Sequence, residues 1–422
     1  MLRNILRPIS VRVKESQLMT NFQGRSFKPV YLDHNATSPL AAELRPLALE
    51  WLDRWGNPSS IHQWGRGPKS IMREARNHFS QMIGAHPLEV VFTSGGSEAN
   101  NQALKSAFFH LSRQGSERRQ YLISAVEHPS VMKTMEFLAG LGAEVLTVPV
   151  SRQGLLDLDT LRSYLGPKTA MVSVMYANNE TGHIFPIKKI SEWAHEVGAW
   201  VHCDAVQALG KVPVDVKSWG VDLASFSGHK FYSLKGAGAL YVRKGFPLES
   251  LIHGGGQERG RRAGTENVLA IAALGHMARR RDQVQDQFLR LRALRDQMEK
   301  EILSQISGVR VNGPDNLRLP NTSSLILDGV DGETLLMNLD LEGFAVSTGA
   351  ACSSGNPEPS PVLMAMGLTR EEAQSSLRLS LGWDSTEEEV ESFVRALKAV
   401  VERLRKIKRE STKLEQKQKE RL

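Results

Sequence analysis

The sequence predicts an α/β protein: a large domain with a mostly parallel sheet covered by helices, followed by a smaller C-terminal α/β domain. Three observations carry this. Short β-branched runs alternate with helical patterns from residue 29 onward, several runs end in a polar cluster, and the texture changes near residue 280. At 422 residues the chain also exceeds what one hydrophobic core usually supports.

The candidate strands, in order, are Val90–Thr93, Tyr121–Ala125, Ala143–Val148, Ala170–Tyr176, Trp200–Cys203, Leu223–Ser227 and Ala239–Val242. In open α/β sheets ligands sit beyond the carboxyl ends of the strands, so SGGSEANN, AVEHPS, ANNETG, DAVQ and SGHK mark where chemistry is expected. Past residue 280 a charged helical stretch, Gln283–Ser304, leads to a strand-like Ser323–Leu327. The last helix rests on Val390, Phe393, Val394, Leu397, Val401 and Leu404 at helical spacing, with Ser385 and Glu388 as a capping box. The expected division is a flexible extension over 1–28, a large domain over 29–280 whose first stretch can pack on the small domain, a small domain over 281–404, and a basic tail over 405–422. With its apolar stripe lost, that tail is expected to be frayed or disordered.

The formal charge of +7 is concentrated at the ends. Residues 1–28 carry six Lys/Arg against one Glu and residues 405–422 carry eight against three, which leaves the body slightly acidic. Basic ends on such a globule, with no aromatics interleaved, point away from a nucleic-acid partner. Two cysteines, Cys203 and Cys352, are too few for a disulfide framework or a structural zinc site, and a reducing compartment fits them. No apolar run is long enough to span a bilayer, and no membrane partner is expected. The opening segment, MLRNILRPISVRVK, is Arg-containing and acid-free like a weak mitochondrial presequence, while Met19 is an equally good start. A cytoplasmic location is expected on the second reading and a mitochondrial one on the first.

Each polar cluster offers a specific chemistry beside a plainer one. In FTSGGSEANN, Gly96 and Ser97 open a helix, where close backbone approach and free N–H groups suit a single phosphate; an ordinary helix cap uses the same letters. Asp204, at the mouth of an apolar strand, suits a partner for a pyridinium nitrogen, with Gln207 in reach of the ring oxygen, or else simply caps the next helix. Lys230, flanked by Ser227 and His229, sits just past an apolar run, where an imine-forming amine finds a partly desolvated pocket. A snorkelling surface lysine is the plainer alternative. His128 ends another strand and suits ring stacking or proton shuttling, although a lone histidine is commonly structural. The other histidines lack metal-ligand spacing, and no metal site is assigned.

Cys352 lies among small Gly and Ser residues with prolines downstream, a composition that exposes a thiol, whereas Cys203 lies in an apolar run and is placed to pack. Arg378, in the alternating run SSLRLSLGW, has the planar fork that binds a carboxylate, or is a plain strand-edge arginine.

Taken in order, YLDHNAT, GNPSSIH, FTSGGSEANN, VEHPSV, NNETG, HCDAVQ, SFSGHK, ERGRRAGTEN, STGAACSSG and SLRLSLG resemble the NifS/IscS-type cysteine desulfurases, a branch of the class V aminotransferases, from about Tyr31 to about Leu404. The resemblance implies the fold-type-I architecture of pyridoxal 5′-phosphate (PLP) enzymes with a seven-stranded sheet. It implies that Lys230 forms the Schiff base, that Asp204 pairs with the ring nitrogen and that His128 stacks as acid/base. By the same resemblance Gly96, Ser97, Ser227 and His229 bind the phosphate, and Asn179 and Gln207 contact the ring. Thr265 reaches the phosphate of a neighbouring subunit, so a homodimer is implied.

Asn35 and Arg378 match the binders of the substrate carboxylate. Cys352 matches the acceptor of sulfur from L-cysteine, giving L-alanine and a persulfide for a sulfur-acceptor protein such as an iron–sulfur scaffold or for tRNA thiolation, with transient cluster ligation by Cys352 as a corollary. The loop reads GAACSSG where the family usually has GSACTSG, and its length resembles the branch with a reaching cysteine. Selenocysteine lysis, transamination and a non-catalytic scaffold on the same fold are the alternatives left open.

Overall fold

The computed structural model describes residues 19–20, 26–27, 29–313, 316–348 and 358–419. Seven strands form the main sheet: β1 (Val90–Thr93), β2 (Gln120–Ser124), β3 (Glu144–Val148), β4 (Thr169–Ser173), β5 (Trp200–Asp204), β6 (Leu223–Ser227) and β7 (Gly238–Val242). Their order is β1-β7-β6-β5-β4-β2-β3. β7 runs antiparallel to both its neighbours and every other pair is parallel. All seven segments read from the sequence are in this sheet. The one boundary that moves by more than a residue is β4, yet Val174 and Tyr176 still donate to the carbonyls of His202 and Asp204 beyond its end.

Because helices cover both faces, the central strands are near-continuous apolar runs rather than alternating ones. On one face Phe79, Phe92, Leu122, Val172 and Phe226 share a core. On the other, Ala103, Leu104 and Phe108 of helix α1 (Gly96–Arg113) pack with Val131 and Leu138 of helix α2 (Pro129–Ala139). β7 can pass beside the turn after β1 only because residue 238 is glycine: a Cβ there would lie 2.6 Å from the Cα of Gly95.

A second core belongs to a three-stranded antiparallel sheet, β8 (Val309–Val311), β9 (Thr322–Leu327) and β10 (Ser376–Ser380), in that order. Leu294, Met298 and Ile302 of helix α3 (Val284–Gln305) pack on it, as do Phe393, Leu397 and Val401 of the last helix. Val30 and Leu32, from the far end of the chain, are buried in the same core, where Val30–Tyr31 pairs in parallel with Phe344–Ala345. Upstream, Met19–Thr20 pairs antiparallel with Ser26–Phe27, and the rest of the extension lies outside the described residues.

Two expectations at the last helix are corrected. The capping box is Thr386 with Glu389, one residue on from Ser385 and Glu388; the Ser385 hydroxyl instead accepts from Gly382 N at 2.9 Å. The helix, α5 (Glu387–Lys419), also continues through most of the basic tail, which is therefore neither frayed nor disordered as far as Lys419. Lys, Arg, Glu and Gln are good helix formers, and extending a packed helix needs no new nucleus. Arg405 fastens the first turn of the extension by donating to the carbonyls of Ser307 and Asp328 at 2.7 and 2.8 Å. The short helix α4 (Pro361–Ala365) lies between β9 and β10 in the chain. No helix among the described residues is long and apolar enough to cross a membrane.

Candidate active site

The carboxyl ends of β1, β2, β4, β5 and β6 open into one cleft of about 890 Å³. It is lined by Gly96, Ser97, His128, Asn179, Asp204, Gln207, Ser227, His229 and Lys230 from the large sheet, and by Asn35 and Arg378 from the second core. Thr265 is exposed and lies away from this cleft. Cys352 lies outside the described residues.

Lys230 ends a single 3-10 turn, Gly228–Lys230, directly after β6. Its Nζ donates to the carbonyls of Asn35 and Ala36, both at 2.6 Å. Burial and the nearby Arg378 guanidinium push the amine down to about 8, against the opposing pull of Asp33 and Asp204. At pH 7 such an amine is about one-tenth neutral, where an ordinary lysine is neutral only about four times in ten thousand.

Asp204 closes β5 and is buried. Its Oδ1 accepts from Val206 N at 3.0 Å in a turn, and no helix follows for it to cap as the plainer sequence reading expected. Its Oδ2 accepts from Asn100 Nδ2 at 2.7 Å, and the same Nδ2 group donates to Ser130 Oγ at 2.8 Å. Ser130 Oγ is 2.7 Å from His128 Nδ1, and Ser130 N donates to that nitrogen at 3.1 Å. Nδ1 is thus an acceptor, which leaves the proton of the neutral ring on Nε2. Burial lowers the His128 pKa, with Asp204 raising it and Lys230 lowering it further. Asn100 and Ser130 were not singled out from sequence. Asn100 follows Ser97 by three residues, the spacing that puts both on one helix face.

At the start of α1, a Cβ at Gly96 would meet Val206 Cγ2 at 2.6 Å, so only glycine lets the helix begin this close to the strand end. Burial and Lys230 push His229 down to about 4, so its ring is neutral at pH 7, with Nδ1 3.1 Å from Thr37 Oγ1.

The second-core side is densely bonded. Arg378 Nη2 pairs with Asp33 Oδ1 at 2.7 Å and Nη1 donates to Asn179 O at 3.2 Å, while Nε is buried with no partner. Asn35 uses its whole side chain: Nδ2 donates to Thr322 Oγ1 (2.9 Å) and Asn179 O (3.1 Å), and Oδ1 accepts from Lys211 Nζ (2.7 Å) and Asn321 Nδ2 (3.2 Å). Binding a further group would cost it one of these. Lys211 also donates to Gln207, four residues earlier. Burial holds the Lys211 amine well below its ordinary value.

Two buried carboxyls border the cleft. Glu127 accepts from Ser124 Oγ at 2.5 Å and Met175 N at 2.8 Å, its Oε2 is unpaired, and burial pushes it up to about 8. Glu180 is pushed up to about 7 by burial against the Ser360 hydrogen bond and Arg378. Cys203 is buried inside β5, and burial raises its thiol. Among the described residues no group of three or more His, Cys, Asp or Glu is arranged to hold a metal ion.

A lysine of accessible neutral form facing a fixed carboxylate and an imidazole, at the strand ends of a helix-covered parallel sheet, is the site of a group-transfer enzyme that works on amines. The chain belongs to the aminotransferase class-V family, which it matches over residues 30–393. Within that family it is 44% identical, over 382 residues, to a protein named cysteine desulfurase IscS from Dictyoglomus turgidum, covering 90% of this chain and 96% of that one. A solved NifS-like protein superposes with a TM-score of 0.83 at 33% identity, covering 89% of this chain and 99% of that one. The structure titled SspA in complex with cysteine follows at 0.73 and 31%, covering 83% and 98%.

Proposed function

We propose that this chain is a cysteine desulfurase that binds PLP through Lys230 and passes the sulfur of L-cysteine to Cys352. The observation that carries the proposal is the Lys230 amine, pushed down to about 8 and lining one cleft with Asp204 and His128. The surroundings fit PLP. The start of α1 with Gly96, Ser97, Ser227 and His229 offers N–H and hydroxyl groups for one phosphate, and the buried, unpaired Arg378 Nε offers a donor for a substrate carboxylate. Bound PLP supplies a carbonyl carbon for condensation with an amine and a ring that draws electrons from the substrate.

Asp204, fixed by Asn100 and Val206, is oriented to hold a ring-nitrogen proton, with Asn179 and Gln207 beside the ring. Lys230 takes a proton at the substrate carbon, and the Nε2–H of His128 gives one and afterwards recovers it. Arg378 orients the carboxylate, and Asn35 and Asp33 hold the arginine's surroundings in place. The Cys352 thiolate forms a bond to the substrate sulfur as the carbon–sulfur bond breaks. The electron pair stays with carbon, which takes up a proton and leaves as alanine, and the sulfur, now oxidised to the persulfide level, stays on Cys352.

A homodimer is part of the proposal, with Thr265 serving the partner's phosphate. It is supported by an exposed apolar group, Leu49, Leu52, Trp55, Ile61 and Trp64, in which the two tryptophans stack at 5.4 Å. The persulfide is then consumed by an acceptor protein, in the cytoplasm or in mitochondria. The large and small domains divide at residue 280, with Val30–Tyr31 joined to the small one.

The test is release of alanine and sulfide from cysteine, with a reductant, by wild type, Cys352→Ala and Lys230→Ala. Both variants should be inactive with cysteine. A Cys352→Ala protein that releases sulfide at the wild-type rate removes the acceptor assignment, and an active, yellow Lys230→Ala protein removes the proposal.

A further inference from the structure

Among the described residues Lys211 is the only buried lysine, and the proposed reaction gives it no step. It follows Gly210 in the turn after β5, where Lys211 N donates to Ala208 O at 3.0 Å and Trp383 Nε1 donates to Gly210 O at 3.1 Å. The backbone beneath the amine is thus fixed from two sides. Burial, with the Lys230 and Arg378 cations, holds the amine well below its ordinary value. A methionine of similar length would fill the same place without that desolvation, so the buried N–H groups have a specific use.

They meet two acceptors. Nζ donates to Asn35 Oδ1 at 2.7 Å and to Gln207 Oε1. An amine offers at least two N–H groups whether charged or neutral, whereas the two ends of an amide are alike in shape and differ in what they bond. A donor facing an amide therefore decides which way it turns. With Oε1 held by Lys211, Gln207 turns Nε2 the other way, and one of its two hydrogens goes to Asn35 O at 3.0 Å. The second makes no hydrogen bond among the described residues, and Gln207 lines the cleft. The same Asn35 carbonyl accepts from Lys230 Nζ at 2.6 Å, so the amide and the reactive amine share one anchor.

We infer that Lys211 is a positioning residue: by holding Gln207 Oε1 it presents the uncommitted Nε2–H of Gln207, and not a carbonyl, to the oxygen substituent of the bound ring. The inference rests on the PLP reading above. An N–H at that oxygen stabilises it as an oxyanion, and does so most when the Lys230 imine has lost the proton it otherwise shares with the oxygen. The donor thereby lowers the pH at which the imine deprotonates. Lys211 acts on this midpoint through Gln207, so removing either residue should have the same effect and removing both should add nothing. A purely structural lysine leaves the midpoint where it is.

The holoenzymes of wild type, Lys211→Met, Gln207→Leu and the double variant are titrated by cofactor absorbance in the absence of cysteine. Asp33, His34, His128, Asp204, His229 and Arg378 also face Lys230 or Lys211 and are common to all four, so differences between the proteins read Lys211 and Gln207. Lys211→Met and Gln207→Leu should each raise the midpoint by about one to two pH units, and the double variant should match Gln207→Leu within about 0.3 units. An unshifted Lys211→Met overturns the inference, and so does a further shift in the double variant, which marks direct action of the charge. Neutron diffraction from the wild-type holoenzyme tests the same point without a variant: Gln207 Nε2 should face the ring oxygen, and Oε1 in its place overturns the inference. Wild type that binds no PLP overturns the desulfurase reading and the inference together, an outcome distinct from the others.

Discussion

The two walls of the cleft are built in opposite ways. On the large-sheet wall each reactive group stands at its own strand end with few bonds: among the described residues Lys230 donates to two backbone carbonyls, and His128 is held through one ring nitrogen. On the opposite wall Asn35, Asn321, Thr322, Asp33 and Arg378, met by Lys211 and Gln207 from the large-sheet side, form a web in which most donors and acceptors are used, although Arg378 Nε is not. The difference separates two jobs. Groups that must change protonation or covalent partner keep spare valence, whereas groups that must hold a substrate still are held still themselves.

The comparison breaks first at Lys230. Lys230→Ala should lose alanine formation by at least about a thousandfold and lose the absorbance of the bound cofactor, with little change in thermal midpoint, because no web depends on this amine. A collapse of stability would show the reactive wall to be as interlocked as the other.

Arg378→Lys tests the second wall. A lysine cannot hold Asp33, Asn179 and a carboxylate with one planar fork, so kcat/KM for cysteine should fall by about 1.5–3 kcal/mol, roughly ten- to hundredfold, chiefly through KM. A drop confined to kcat would put the arginine in the chemical step instead.

A smaller effect is expected at Asn100, the one residue that ties reactive groups to each other. Asn100→Ala removes one of the two donors to the buried Asp204 and the donor to Ser130, and should cost about 1–3 kcal/mol of stability with roughly a tenfold loss of turnover. Denaturant midpoints and steady-state rates read both. Unchanged values in the variant would mean that the relay is not what orients His128.

The mildest test is Glu127, whose carboxyl is raised from about 4.5 unfolded to about 8 folded. Between those values the folded state holds the extra proton, so this group's contribution is complete below pH 4.5, declines as pH rises and is gone above pH 8. Glu127→Gln, which keeps the acceptor for Ser124 and Met175, should flatten the fall in thermal midpoint between pH 5 and 8 and be the more stable protein at pH 8. A steeper fall in the variant would contradict this sign.

Sequence was most informative where one strand end carries one reactive residue. All seven strands of the main sheet follow from apolar runs with polar stops, and nine of the residues expected in the site line one cleft because strand direction brings their ends together, while Asn35 and Arg378 join it from the second core. It was least informative where a site depends on partners far apart in the chain. Asp33, Lys211, Asn321 and Thr322 give no local signal, since an amide or lysine acquires its meaning only from what folds against it. Asn35 could be named from the motif YLDHNAT, but not that every hydrogen-bonding position of its side chain is already taken. The basic tail misled for another reason: absence of an apolar stripe was read as absence of helix, although a long helix propagates beyond the surface that pays for it.

Asn35 N donates to the hydroxyl of Ser380 across 345 positions of sequence, and Leu32 lies in a core completed by β10. A ribosome adding about 5–20 residues per second would need roughly 17–70 s after Leu32 emerges to supply that partner. Nascent chains cut short of Arg378 thus contain Lys230 and the start of α1, yet lack the arginine proposed to hold the substrate carboxylate. Competence to liberate reactive sulfur is in this way deferred until synthesis is almost finished.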